Sequence, residues 1–181
     1  MYLRHCIVVA LTCGVLPAAF AADVDESAWT ANLRYRHELV DDDAFARQAD
    51  ADTLRLRLGW SRAFASGLSL GMEAEGVLEL NDHFNSGANG EFAYPPVADA
   101  RALEVNQAWL GWRGNRGGAV LGRQRIALDN HRFIGNVGWR QNEQTFDALD
   151  FQHSFGNGTK LRYDYLDRAQ RINGADNPNE D

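Results

Sequence analysis

Past residue 13 the chain has no cysteine; Cys6 and Cys13 are the only two in its 181 residues. Both lie in an opening that reads as a secretory signal. Arg4 supplies the positive start, Cys6 to Leu16 is apolar, and Ala19-Phe20-Ala21 is a small-x-small cleavage site. The competing reading is a buried N-terminal helix, and Thr12 argues against a lipoprotein cut before Cys13. Cleavage after Ala21 would remove both cysteines and exclude a disulfide-stapled secreted domain. Lysine is almost absent as well: of 18 basic residues, Lys160 alone is lysine. Arginine's rigid fork suits carboxylates and phosphates, although GC-rich coding would give the same bias.

No run of about 18 apolar residues follows the signal, which excludes a transmembrane helix. Taken alone, the mean hydropathy of −0.42 suggests a soluble protein. His37, His83, His131 and His153 are scattered without metal-ligand spacing. Asp41-Asp42-Asp43 lacks the regular spacing of a calcium loop. There is no P-loop lysine and no nucleophile elbow. The net charge of −7 speaks against a nucleic-acid partner. No metal, cofactor or catalytic residue is expected, and the chain is not read as an enzyme.

What the chain does have is alternation of period two, which marks β-strands rather than helices. In 29–39, Trp29, Ala31, Leu33, Tyr35, His37 and Leu39 oppose Thr30, Asn32, Arg34, Arg36 and Glu38. In 53–64, Leu54, Leu56, Leu58 and Trp60 oppose Arg55 and Arg57; in 68–80, Leu68, Leu70, Met72 and Leu78 oppose Glu73, Glu75 and Glu79. Strand 101–113 changes parity, which a β-bulge near Asn106 would reconcile. Strand 119–128 is read with Val120, Gly122, Ile126 and Leu128 opposite Arg123 and Arg125. Strands 144–155 and 159–168 complete a set of seven.

The connections alternate without exception. Long segments 40–52, 81–100 and 129–143 follow every other strand, and 65–67, 114–118 and 156–158 are short turns. An outer-membrane barrel has this order, with short periplasmic turns and long outer loops, and its alternating strands average out in hydropathy. The fold class predicted is all-β, an antiparallel up-and-down transmembrane β-barrel. Trp29, Trp60, Phe64, Trp112, Phe155 and Tyr165 fit interfacial girdles.

The run Gly122-Arg123-Gln124-Arg125, then LDNHRFIGNVGWRQNEQTFDAL over 128–149, resembles the alginate-export type of outer-membrane porin. NQAWLGWRG, which precedes it, more loosely resembles Gram-negative porins in general. The likeness is densest over 106–149. It implies a barrel of roughly 16–18 strands around an aqueous lumen. Seven strands are an odd number and no final aromatic-ended strand appears. The expectation is therefore a signal peptide over 1–21 and, over 22–181, the N-terminal portion of a larger barrel. The function implied is an outer-membrane porin or export channel giving passive passage to small or oligomeric solutes, anions among them. The partners implied are outer-membrane lipid and a small-molecule or oligosaccharide solute. The alternatives are a non-transporting, barrel-anchored surface or adhesion protein and an outer-membrane hydrolase.

If the apolar faces meet lipid, the lumen is lined by Arg34, Arg36, Arg55, Arg57, Glu73, Glu75, Arg123 and Arg125. Such charge ladders select ions and bind carboxylates, unless Arg and Glu merely satisfy one another across strands. Segment 129–143 either projects outward or folds into the lumen; in the second case Asp129, Arg132, Trp139 and Arg140 would form a constriction.

Overall fold

The computed structural model describes residues 3–14 and 26–174. These form one antiparallel sheet, and no helix occurs among the described residues. Its strands are β1 (Leu3–Gly14), β2 (Glu26–Asp42), β3 (Ala49–Ala63), β4 (Leu68–Glu79), β5 (Ala102–Gly114), β6 (Gly117–Gln124), β7 (Thr145–Ser154) and β8 (Lys160–Gln170). Each pairs with its sequence neighbours, in the order β1 to β8, and the described sheet is open. The seven strands expected from the alternation are β2 to β8.

Residues assigned to the signal also pair. β1 lies antiparallel to β2, with Ile7 opposite Leu39 and Leu11 opposite Tyr35. Its β-branched, apolar sequence suits a strand as well as a leader. The cleavage site at 19–21 lies outside the described residues. Removal of 1–21 would take β1 away and leave β2 as an edge.

Long and short connections alternate as expected: 43–48, 80–101 and 125–144 at one end, 64–67, 115–116 and 155–159 at the other. The first long loop is shorter than its acidic composition suggested. Ala49, Ala51 and Thr53 turn to the buried face while Asp50 and Asp52 turn away, so the strand period runs through the acidic stretch. The bulge at Asn106 is present. Val105 pairs with Ala74 and Gln107 with Glu73, which leaves Asn106 as the extra residue.

The two faces of the sheet invert the ordinary rule. One carries Leu33, Leu56, Leu58, Met72, Leu78, Leu103, Leu110 and Leu121, all exposed. The other carries buried Arg34, Arg36, Arg55, Arg57 and Glu75. A bare apolar face of this extent does not belong in water. Toward the short-turn end it bears the Trp29–Trp60 pair, with ring centroids 6.4 Å apart, and exposed Trp112 and Phe155. Tyr165, assigned to a girdle from sequence, stands at the middle of β8.

The polar face is covered by the two longest connections. Segment 80–101 packs Phe84, Tyr94 and Val97 on Val40, Ala49 and Ala51. Segment 125–144 is held by Ile126, which packs with Phe146 and Ala148 and is flanked by Leu128, Ile134 and Leu166. Each connection thus carries its own apolar anchor, and the polar residues between the anchors meet the sheet.

Candidate functional site

Strands β2 to β4 set the site. Their register places Arg34 beside Arg55 and Arg57 beside Glu75, all pointing to the covered face. Like charges directly opposite on neighbouring strands repel. Arg34 and Arg55 are therefore stable together only if acceptors reach them from elsewhere, and segment 125–144 delivers these.

Gln141 is the hub. It is completely buried. Its Oε1 accepts from Arg34 Nε at 2.8 Å, and its Nε2 donates to Thr53 Oγ1 at 2.8 Å. Its carbonyl accepts from Arg55 Nη1 at 3.1 Å and Arg57 Nη2 at 3.3 Å. Its N–H donates to Asp99 Oδ1 at 2.9 Å, which joins the two covering segments. Arg34 also donates to the Gly138 carbonyl at 3.0 Å and to that of Arg140.

Ion pairs close the two ends. Toward the long loops, Arg36 pairs with Asp99 and Glu38, and Arg140 reaches Glu38 at 3.2 Å. The guanidinium of Arg140 lies 4.1 Å from the Trp139 ring centroid and that of Arg36 lies 5.7 Å away. Toward the short turns, Arg57 pairs with Glu75 and with Glu143 at 3.3 Å, and Arg125 pairs with Glu73 and Glu143. Asn106 donates to Glu73 at 2.7 Å and to Glu143 at 2.6 Å. Burial by itself would raise the Glu143 carboxyl, but Arg125, Arg57 and the Asn106 amide hold it below the ordinary carboxylate range.

Among the residues named from sequence, Arg34, Arg36, Arg55, Arg57, Glu73 and Glu75 lie together on this face. Arg125 joins them by another route: β6 ends at Gln124, so strand parity no longer governs the next side chain. Arg123 requires a correction. It pairs with Ala108, next to Leu121 opposite Leu110, and so shares the bare apolar face. There it pairs with Asp147 at 2.9 Å, close to the long-loop rim, where Gln170 also donates to Asp147. The cause is that Ala119, Val120 and Leu121 are apolar on both parities, and register with β5 decides which side faces in.

The second half of segment 129–143 folds over the polar face, bringing Arg140 into the network. Asp129 and Arg132, expected at a constriction, are exposed in its first half, with Arg132 stacked 5.7 Å from Phe133. The apolar anchors Ile126 and Ile134 turn that half away from the network. Trp139 stays largely exposed. Gln141, Glu143, Asp99 and Asn106 are the members that sequence reasoning missed. Only the Asn106 bulge left a sequence signal.

One cluster stands apart. His37, Asp50 and Asp52 bring ligand atoms within 4.8 Å of one another on the bare face, near the long-loop rim. Cross-strand pairing of His37 with Asp52 assembles them, which linear spacing conceals. Tyr35 and Asn81 also hydrogen-bond Asp52. Of the Asp41-Asp42-Asp43 run, Asp41 and Asp42 end β2 and Asp43 begins the turn, where Asp42 Oδ1 accepts from the Ala44 N–H at 2.9 Å.

The sequence pattern of a protein family described as alginate export matches residues 26–165. That span takes in β2 to β7, both covering segments and half of β8. No curated protein and no solved structure matches the chain.

Proposed function

Because the chain belongs to the alginate export family, we propose that β2 to β8 form part of the wall of an outer-membrane channel. In this reading the covered face lines the conduction path and passage is passive. One observation carries it: exposed leucines stand on one side of the sheet and buried arginines on the other. In a bilayer the bare face meets lipid, and every strand crosses with its hydrogen bonds satisfied by its neighbours. Residues 1–21 act as the export signal.

The solute favoured is anionic. Arg34, Arg36, Arg55, Arg57 and Arg125 now bind carboxylates and carbonyls of the two covering segments, and Arg140, carried on one of those segments, binds Glu38 of β2. A polyanion offers the same acceptors and would replace them one for one. Cross-strand satisfaction accounts for Arg57 with Glu75; the acceptors from 99 and 138–143 go beyond it. The test is reversal potential across planar bilayers holding the full-length protein in a salt gradient. Arg57→Ala should lower the preference for anions. Recovery of the protein as a folded, soluble periplasmic monomer would refute the reading.

A further inference from the structure

We propose that Trp109 is a sugar-stacking subsite on the covered face, on the short-turn side of the ion-pair network. The inference rests on the reading of that face as a conduit. Of the five tryptophans, Trp29, Trp60 and Trp112 stand on the bare face and Trp139 is stacked by arginines. Trp109 is the one that a strand directs inward. It pairs with Gly71 across β4 and β5, and Gly111 follows on the same face.

The two glycines make its seat. A Cβ at Gly71 would stand 2.5 Å from indole Cζ2 and 2.6 Å from Cε2. One at Gly111 would be 3.4 Å from Cζ3. The indole therefore lies along the sheet over two positions without side chains, one ring face against backbone. Its other face looks into a hollow lined by Ser69, Gln107, Gln124 and Arg125.

A flat apolar platform with polar groups at its edge fits a pyranose ring, whose axial C–H bonds cover an aromatic face while its substituents point outward. Gln107 is the next inward residue along β5 and pairs with Glu73, which holds Arg125 and Asn106. A ring seated on Trp109 thus has its substituents beside an amide, and a ring carboxylate is beside Arg125. The site belongs to one sugar residue of a chain passing through, next to the layer where Glu143 occupies Arg125.

The test is calorimetric titration of the full-length protein, folded in detergent, with short alginate oligosaccharides and with maltooligosaccharides of equal length. Heat-modifiable gel mobility reports folding. Trp109→Ala should weaken alginate-oligomer binding roughly three- to tenfold, and Trp109→Phe should stay near wild type. Gly71→Ala keeps the indole but drives it off its seat, and should weaken binding as Trp109→Ala does. If Trp109→Ala does not fold, the other two variants decide. Tighter binding of the alginate oligomers than of the neutral ones supports the carboxylate partner, Arg125. Equal affinity in wild type, Trp109→Ala and Gly71→Ala overturns the subsite. So does a wild type that binds neither sugar, whatever current it passes. Trp109-dependent binding in a protein that passes no ions keeps the subsite and removes the channel.

Discussion

Replacing Gln141 by Ala would strike the hub of the covering segment. The side chain makes two short buried hydrogen bonds, from Arg34 Nε and to Thr53 Oγ1, each 2.8 Å long, and a longer one of 3.5 Å to the Arg34 carbonyl. The bond to a guanidinium contributes about 1.5–3 kcal/mol and the neutral one about 1 kcal/mol. Thr53 is 1% exposed and Arg34 6%. Water cannot replace the lost partner without the segment lifting. The backbone of residue 141 keeps its bonds to Asp99, Arg55 and Arg57. The segment should therefore stay docked on average but open far more often. A loss of about 2–4 kcal/mol raises the population of the open form roughly thirtyfold to several hundredfold. Limited proteolysis between residues 136 and 142 in reconstituted full-length protein reads that population directly. Bilayer recordings should show more frequent transitions to a higher conductance. Arg132→Ala, in the exposed half of the same segment, is the control and should change neither. Unchanged proteolysis and conductance in Gln141→Ala would refute the claim that this residue fastens the segment.

Leu56→Arg places a charge at the middle of β3 on the bare face and should destabilise the folded protein by about 2–4 kcal/mol in lipid, read by chemical unfolding in liposomes. Arg123→Ala should leave the reversal potential unchanged, because its guanidinium lies on the apolar face beside Asp147 and outside the conduction path. Acid should loosen the covering segment. Glu143 has a folded-state pKa below its ordinary 4.5, so the stability it contributes is complete above that value and is lost as pH falls through the lowered one. Conductance measured from pH 7 to pH 3 should rise at the acid end in wild type, and Glu143→Gln should flatten that rise.

Strands were legible where the two parities differed in chemistry. Leu54, Leu56 and Leu58 against Arg55 and Arg57 leave one orientation in a membrane, and β3 adopts it. The Asn106 bulge was legible for the same reason, since parity changed sides within one strand. The acidic stretch 49–52 has the aspartate composition of a loop but the period of a strand, since Ala and Asp alternate there without a break and the period decides. The hub was not legible. Arg34 and Gln141 are 107 residues apart, and no local pattern marks a glutamine as the place where three arginines converge.

The reversal of Arg123 shows where alternation stops carrying information. A strand's pattern states which residues share a face; it does not state which face is inside. On β3 the contrast between leucine and arginine supplies that sign. On β6 the run Gly118-Ala119-Val120-Leu121-Gly122 has no such contrast, so the sign must come from a neighbour. β5 provides it, because Leu110 and Trp112 lie on the bare face and pair with Leu121 and Ala119. Arg123 then shares that face with Leu121, and its position at the rim, with Asp147 as counter-charge, makes the placement tolerable. Arg125 escapes the rule because the strand has ended, and the carboxylates of Glu73 and Glu143 draw it inward. The two arginines of one GRQR run thus serve opposite sides of the sheet. Register fixes the first, and the end of the strand frees the second.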